Sequence, residues 1–228
     1  MTLTANAAPI PGAASTALAI ASLLDPTPAL SITPILHPQD GVPNPRSRTF
    51  WSAVANVLYI QRQRGTDLFG PTPDLTAKLA QGNDLVAHGR RGPIGCDADA
   101  LAGLALWDAA DRATQADRPS TPVAHHLIGW LPTNVTREAW RDLTLEFLDR
   151  AVVANGMVAE WAIHALADDS GRWIKRPHLH IILTHRFWRP GTRTGQPNAA
   201  WLGTPRHRQR MMDAWDQIAG GTLNPEQS

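Results

Sequence analysis

The sequence predicts an α+β fold built around an antiparallel hairpin. Three observations lead there. Helix-like and strand-like segments alternate without an internal repeat. Two strand-like segments, Met157–His164 and His178–Thr184, flank the turn chemistry of Asp168-Asp169-Ser170-Gly171. A capped amphipathic helix runs directly into the first of those strands.

Residues 1–29 are rich in Ala, Pro, Thr and Ser and read as a poorly ordered extension. Their apolar run, Ala17–Leu24, is eight residues long with no Lys or Arg before it, so the signal-peptide pattern fails and a cytoplasmic protein is expected. Leu30–His37 reads as a first strand, and Gln39–Pro45 as a loop. Trp51–Arg64 contains no Gly or Pro and spaces Trp51, Val54, Ala55 and Leu58 at i, i+3, i+4, i+7, a helix with Tyr59 on its second half. Residues 65–100 are broken by Gly and Pro, with a short helix near Asp74–Leu79. Asp97–Ala113 is alanine-rich and helical by composition, and Val123–Leu131 reads as a strand stopped before Pro132. Thr136 caps a helix whose apolar stripe is Trp140, Leu143, Phe147, Leu148 and Ala151, and Gly156 ends it. A last helix covers Arg206–Ile218. One domain, residues 30–220, is expected between the extension and a tail at 221–228.

The 228 residues suffice for a real core, and 43% hydrophobic against 18% charged residues argues for a folded chain. No apolar run is long enough to span a bilayer. The lone Cys96 excludes a disulfide framework and a multi-cysteine zinc site. The net charge of +1 hides strong segregation: residues 46–64 hold four bases and no acid, residues 92–170 twelve acids against five bases, and residues 171–210 nine bases and no acid. Nineteen of the 21 basic residues are arginine, and the second basic run is interleaved with Trp173, Phe187, Trp188 and Trp201. Arginine grips phosphate in a fork and aromatic rings stack on bases, so single-stranded nucleic acid is the partner this mixture suits. The candidate contacts are Arg46, Arg48, Arg62, Arg64, Arg172, Lys175, Arg176, Arg186 and Arg189.

Side chains at i and i+2 of a strand share a face, so His178 and His180 point the same way. His164 and His178 are symmetric about Gly171, and His164 and His180 about residue 172. A hairpin folded there brings three imidazoles onto one face, which suits a divalent metal with open positions. Glu160 shares the strand face of His164, and His126 is a further candidate for a place behind the ligands. Tyr59 stands in the first basic segment; a tyrosine in a helix most often packs its ring in the core, but a phenol activated by a nearby metal can attack phosphorus.

Together these residues resemble the MobA/MobL-type relaxases, plasmid mobilization proteins of the histidine-hydrophobic-histidine nuclease class. Arg176-Pro177-His178-Leu179-His180-Ile181-Ile182-Leu183-Thr184-His185-Arg186 is similar to that family's Asn-Pro-His-x-His segment running into Leu-Thr-Thr-Arg. Ala162-Ile163-His164 looks like its upstream histidine strand, and Ser52-Ala53-Val54-Ala55-Asn56-Val57-Leu58-Tyr59 like its tyrosine helix. Leu106-Trp107-Asp108 and Trp130-Leu131-Pro132 resemble its Leu-Trp-Asn and Ala-Leu-Pro landmarks, in the family's order. The resemblance implies an antiparallel sheet with helices mainly on one face. It implies a nickase at a transfer origin, with Tyr59 forming a 5′-phosphotyrosine, and His164, His178 and His180 holding Mg²⁺ or Mn²⁺. The implied partners are single-stranded origin DNA and accessory relaxosome proteins, with no membrane. The chain departs from the family at His125-His126, where Arg-Glu is usual, at Arg176 in place of Asn, and at Ile60 after the tyrosine. A rolling-circle replication initiator and a non-catalytic DNA-binding remnant are the alternatives.

Overall fold

The computed structural model describes residues 30–38, 51–72, 74–80, 82–96, 102–115, 121–188, 195–198 and 200–223. Its strands are β1 (Leu30–Ile35), β2 (Thr66–Asp67), β3 (Gly70–Pro71), β4 (Leu85–Arg91), β5 (Ala124–Trp130), β6 (Met157–Ala167), β7 (Trp173–Phe187) and β8 (Gln196–Pro197). Its helices are α1 (Ala53–Ile60), α2 (Thr76–Leu79), α3 (Ala105–Gln115), α4 (Arg137–Phe147) and α5 (Pro205–Leu223). The main sheet runs β1-β5-β7-β6-β4 with every neighbouring pair antiparallel, and β8 adds to the end of β7. The fold class is therefore α+β on an antiparallel sheet.

The hairpin register is the one its symmetry predicts. Gly171 takes φ +82°, a left-handed turn position, and Asp168 Oδ1 accepts from the backbone N–H groups of Ser170 and Arg172. His164 lies opposite His178, and Ala162 opposite His180. Both strands run longer than the apolar pattern suggests, because Trp173–Arg176 and Leu166–Ala167 continue the ladder beyond the buried part.

β4 is absent from the pattern-based reading, which expects broken chain with one short helix near Asp74–Leu79 over residues 65–100, and only that helix, at Thr76–Leu79, is found as expected. The sequence Leu85-Val86-Ala87-His88-Gly89-Arg90-Arg91 has a glycine at its centre and two arginines at its end. Gly89 lets the Trp161 ring pack closely over it: a Cβ there would lie 3.0 Å from that ring across the ladder, so the ring would have to shift. At the opposite edge, Pro34 is tolerated because β1 pairs on one side only.

Alternation along β7 builds two cores. Leu179, Ile181 and Leu183 face α4 and α5, where Trp140, Phe147 and Trp215 are fully or nearly buried. Ile182, with Val158 and Ala162, faces α1 and α3 through Val54, Val57, Leu58, Leu106 and Trp107. The two largest helical segments thus lie on one face, as expected, but the other face is not bare. α1 and α3 cover part of it. α4 is capped by Thr136 Oγ1, which accepts from Ala139 N–H, and continues into a π turn at Leu148–Val152 before Gly156 ends it at φ +80°. α5 extends beyond the predicted Ile218 to Leu223.

Gly129 on β5 admits the Trp215 indole, whose ring atoms would lie 2.6–3.0 Å from an added Cβ. Trp215 is fully buried and meets Phe147 edge to face at 5.1 Å, so it has little room to yield. Gly129→Ala is expected to destabilise the fold by about 1–3 kcal/mol, as overpacking does, read from the midpoint of urea unfolding.

Candidate metal centre and active site

α1 is short and tightly held. Ser52 caps it by accepting from Ala55 N–H at 2.9 Å, and the buried Asp111 of α3 accepts from Ala53 and Val54 N–H at 2.8 and 3.1 Å. Ser52 Oγ also bonds Asp67. The Asp111 carboxyl is pushed up by burial, in spite of its bonds to His37 and to those two N–H groups. The helix ends at Ile60, earlier than its apolar spacing predicts, because Arg62 adopts φ +58°. Seven of its eight residues are buried, and Tyr59 is the exception. Burial on nearly all sides thus replaces the expected amphipathic stripe. Tyr59 presents its ring edge to His180, centroids 6.4 Å apart, with Arg62 and Lys78 over its faces at 5.0 and 4.7 Å.

His164, His178 and His180 converge with one nitrogen each within 4.8 Å of the others. Their remaining nitrogens are tied down. His164 Nε2–H donates to the Ile60 carbonyl at 2.7 Å, leaving Nδ1 for the centre. His178 Nδ1–H donates to the Arg176 carbonyl at 2.7 Å, leaving Nε2. His180 Nδ1 lies 2.8 Å from His126 Nε2; with His180 as donor, its Nε2 is likewise left for a metal. Such partners fix ring orientation and tautomer in metal sites.

Burial drives the histidine pKa values down: His164 to about 3, helped by the Arg62 charge, His126 to about 4, and His178 and His180 also below the ordinary value. All four are neutral at pH 7, the form that ligates. The donor set therefore fits a divalent ion.

Behind the histidines sits a charge cluster that the sequence reading does not contain. Asp84, two per cent exposed, receives Arg62 Nε and Nη2 at 2.8 and 2.9 Å and Lys175 Nζ at 3.0 Å. Burial works to raise its pKa, but these bonds outweigh it and hold the carboxyl well below the usual range. Arg62 also donates to the Tyr59 carbonyl at 2.8 Å and to His164 Nδ1 at 2.6 Å. That last bond engages the nitrogen a metal needs, so Arg62 must release His164 before this histidine can ligate.

The candidate residues thus separate. Tyr59, His164, His178, His180 and His126 are brought together. Arg62 and Lys175, expected to meet DNA, are engaged by Asp84, and the Arg62 side chain is only 5% exposed. A bulge between the His164–His178 and Leu166–Lys175 pairs brings Lys175 round to Asp84. Glu160 bonds Gln61, Arg90 and Trp107, so it braces the end of α1 instead of backing a histidine. Arg64 and Arg176 are exposed, Arg172 is exposed beside Asp168, and Arg186 is half-buried near the Gly195 carbonyl. Arg46, Arg48 and Arg189 lie outside the described residues. His125 lies on the opposite face of the sheet, 5.4 Å from His185 between ring centroids.

Residues 52–217 match the profile of the MobA/MobL family, a span holding the tyrosine helix and all three histidines. The chain belongs to the MobA/MobL family. As a MobA/MobL protein it falls in the general class of plasmid mobilization relaxases. Its fold is shared with a solved protein from work on the molecular basis of vancomycin resistance transfer in Staphylococcus aureus. That likeness has a TM-score of 0.64 at 15% identity and covers 88% of this chain and 94% of that one. Among curated proteins none matches. No helix among the described residues of this MobA/MobL protein is long and apolar enough to cross a membrane.

Proposed function

We propose that the protein nicks and transfers one strand of DNA at a plasmid transfer origin, with Tyr59 as the nucleophile. The observation that carries this reading is the meeting of the one half-exposed residue of α1, a tyrosine, with three neutral histidines. The Tyr59 oxygen bonds to the scissile phosphorus and its proton passes to solvent. The strand's 3′-oxygen leaves and takes up a proton, giving a 5′-phosphotyrosine and a 3′-hydroxyl. His164, His178 and His180 would hold Mg²⁺ or Mn²⁺, which when bound supplies polarisation of the phosphate. His126 holds the His180 ring, and the Ile60 and Arg176 carbonyls hold the other two. Lys78, Arg64, Arg172 and Arg176 are among the exposed cations that would contact the strand.

The test is incubation of a single-stranded origin oligonucleotide with protein and Mn²⁺, a denaturing gel, and peptide mapping of any adduct. An adduct on the Tyr59 peptide is expected. One on Ser or His, or DNA binding with no adduct, overturns the reading, and the latter favours a non-catalytic remnant.

Metal binding has its own signature. In calorimetry with Mn²⁺, His180→Ala is expected to lose most of the binding. Arg62→Met is expected to bind about tenfold more tightly, because one charge-assisted hydrogen bond of ~1.5 kcal/mol no longer competes for His164 Nδ1. Equal affinity in all three proteins would remove the histidine centre from the account.

A further inference from the structure

On the face of the sheet away from Tyr59 lies a cavity of about 330 Å³ between α4 and α5. Arg150, His207 and Arg210 stand on its lining, with Asn155, Asn198 and the Trp201 ring, and no acid among the described residues lines it. Three features of the chain converge there. The π turn that ends α4 contains Arg150 and Ala151, both on the wall; such turns are rare and cluster at functional sites. α5 opens with Arg206, His207, Arg208 and Arg210 and has no acid in its first turn, although a helix N-terminus favours anions and disfavours cations. Positive charge is thus gathered at a cost to the helix. Finally, these bases are the end of the acid-free run 171–210, whose other half lies at the histidine hairpin. The site described above makes no use of this half.

The lining is chemically specific. Arg150 is 67% exposed and only partly engaged by Glu146 at 3.0 Å, and Arg210 has no ion pair among the described residues. His207 Nδ1 is held by Thr204 Oγ1 at 2.9 Å, leaving Nε2 as the ring's other polar atom. Asn155 Nδ2 donates to the Ala151 carbonyl, leaving its amide oxygen as an acceptor. Two guanidinium groups and an imidazole at the mouth suit a phosphate, whereas the two amides and the Trp201, Met211 and Ala214 surfaces suit a flat polar ring. We propose that this cavity binds one nucleotide unit, phosphate at Arg150 and Arg210 and base toward Trp201. The unit is either a free nucleotide or an unpaired nucleotide of a DNA strand. The site does not depend on Tyr59 or on a metal.

The test is calorimetry of the full chain, without metal, against thymidine 5′-monophosphate, adenosine 5′-monophosphate and a single-stranded 12-mer. Two variants are compared with the wild type: Arg150→Glu/Arg210→Glu, and Ala200→Trp, which crowds the cavity lining without changing charge. Ala200, Arg150 and Arg210 are all exposed, so both variants should fold. A tenfold or greater loss of mononucleotide binding in both variants supports a free-nucleotide site. No mononucleotide binding by the wild type, with at least a fivefold loss of 12-mer affinity in both variants, supports a nucleotide held within a strand. A loss confined to the charge-reversal variant, or no loss in either, overturns the proposal.

Discussion

Tyr59→Phe is expected to abolish the covalent DNA adduct while leaving folding and strand binding nearly unchanged. The substitution keeps the ring whose edge meets His180 and whose faces meet Arg62 and Lys78, and removes only the attacking oxygen. Tyr59 is the single tyrosine of the chain, so a phosphotyrosine can form nowhere else. The main-chain anchors of α1 run through Ser52 and Asp111, and the Arg62 bond is to the Tyr59 carbonyl, so none of them is touched. Losing a nucleophile removes the whole covalent pathway, an effect of many orders of magnitude on adduct yield. The readouts are adduct per hour on a denaturing gel, the Kd for a single-stranded oligonucleotide, and the urea midpoint. An adduct persisting in Tyr59→Phe would move the nucleophile elsewhere. A large fall in the urea midpoint would make Tyr59 a structural residue.

Much of this centre is legible in the sequence because a hairpin is a local object. The symmetry of His164, His178 and His180 about Gly171 needs only strand periodicity and a turn, and Tyr59 stands out by being alone of its kind. Asp84 is not legible, because its role depends on β4, and β4 hides behind Gly89. That glycine looks like a break until Trp161 is seen packed over it. The same gap misplaces Arg62 and Lys175. A basic run reads as surface when the acid that engages it lies 22 and 91 residues away in sequence. Helix ends fail for a related reason. α1 stops at Ile60 through the left-handed Arg62, held by Asp84 and by the Tyr59 carbonyl, and no local signal marks that residue. Glu160 shares the strand face of His164 as alternation requires, yet its bonds go to Gln61, Arg90 and Trp107, a choice made by tertiary neighbours.

Lowering the pH from 7.5 to 5 is expected to cost this protein much of its stability, and His125→Leu to restore a distinct share of it. His125 is fully buried with neither ring nitrogen hydrogen-bonded among the described residues, and its pKa is lowered to about 3 by burial, with the His185 and Arg208 charges adding to the effect. The unfolded chain takes up a proton at about 6.5 while the native chain refuses it until about pH 3. Stability is therefore complete above pH 6.5 and falls as the pH drops through the window between those values. Each such histidine costs about 1.4 kcal/mol per pH unit there, or about 2 kcal/mol by pH 5. His164, lowered to about 3, and His126, lowered to about 4, act in the same direction and by a similar amount, and His178 and His180 are lowered as well. His125, His164 and His126 together reach about 6 kcal/mol, a large part of the 5–15 kcal/mol of a typical domain. Asp84 loses its contribution only below about pH 4, outside the span from pH 7.5 to 5, and Asp111, raised by burial, works the other way, gaining stability as the pH falls. His125→Leu removes the orphaned nitrogens and one proton from the balance. It should raise stability modestly at pH 7.5 and by about 2 kcal/mol more at pH 5, measured as urea unfolding at both pH values. An equal loss between pH 7.5 and 5 in the wild type and His125→Leu would show that His125 is protonated in the folded chain, and would dismiss burial as the source of the acid sensitivity.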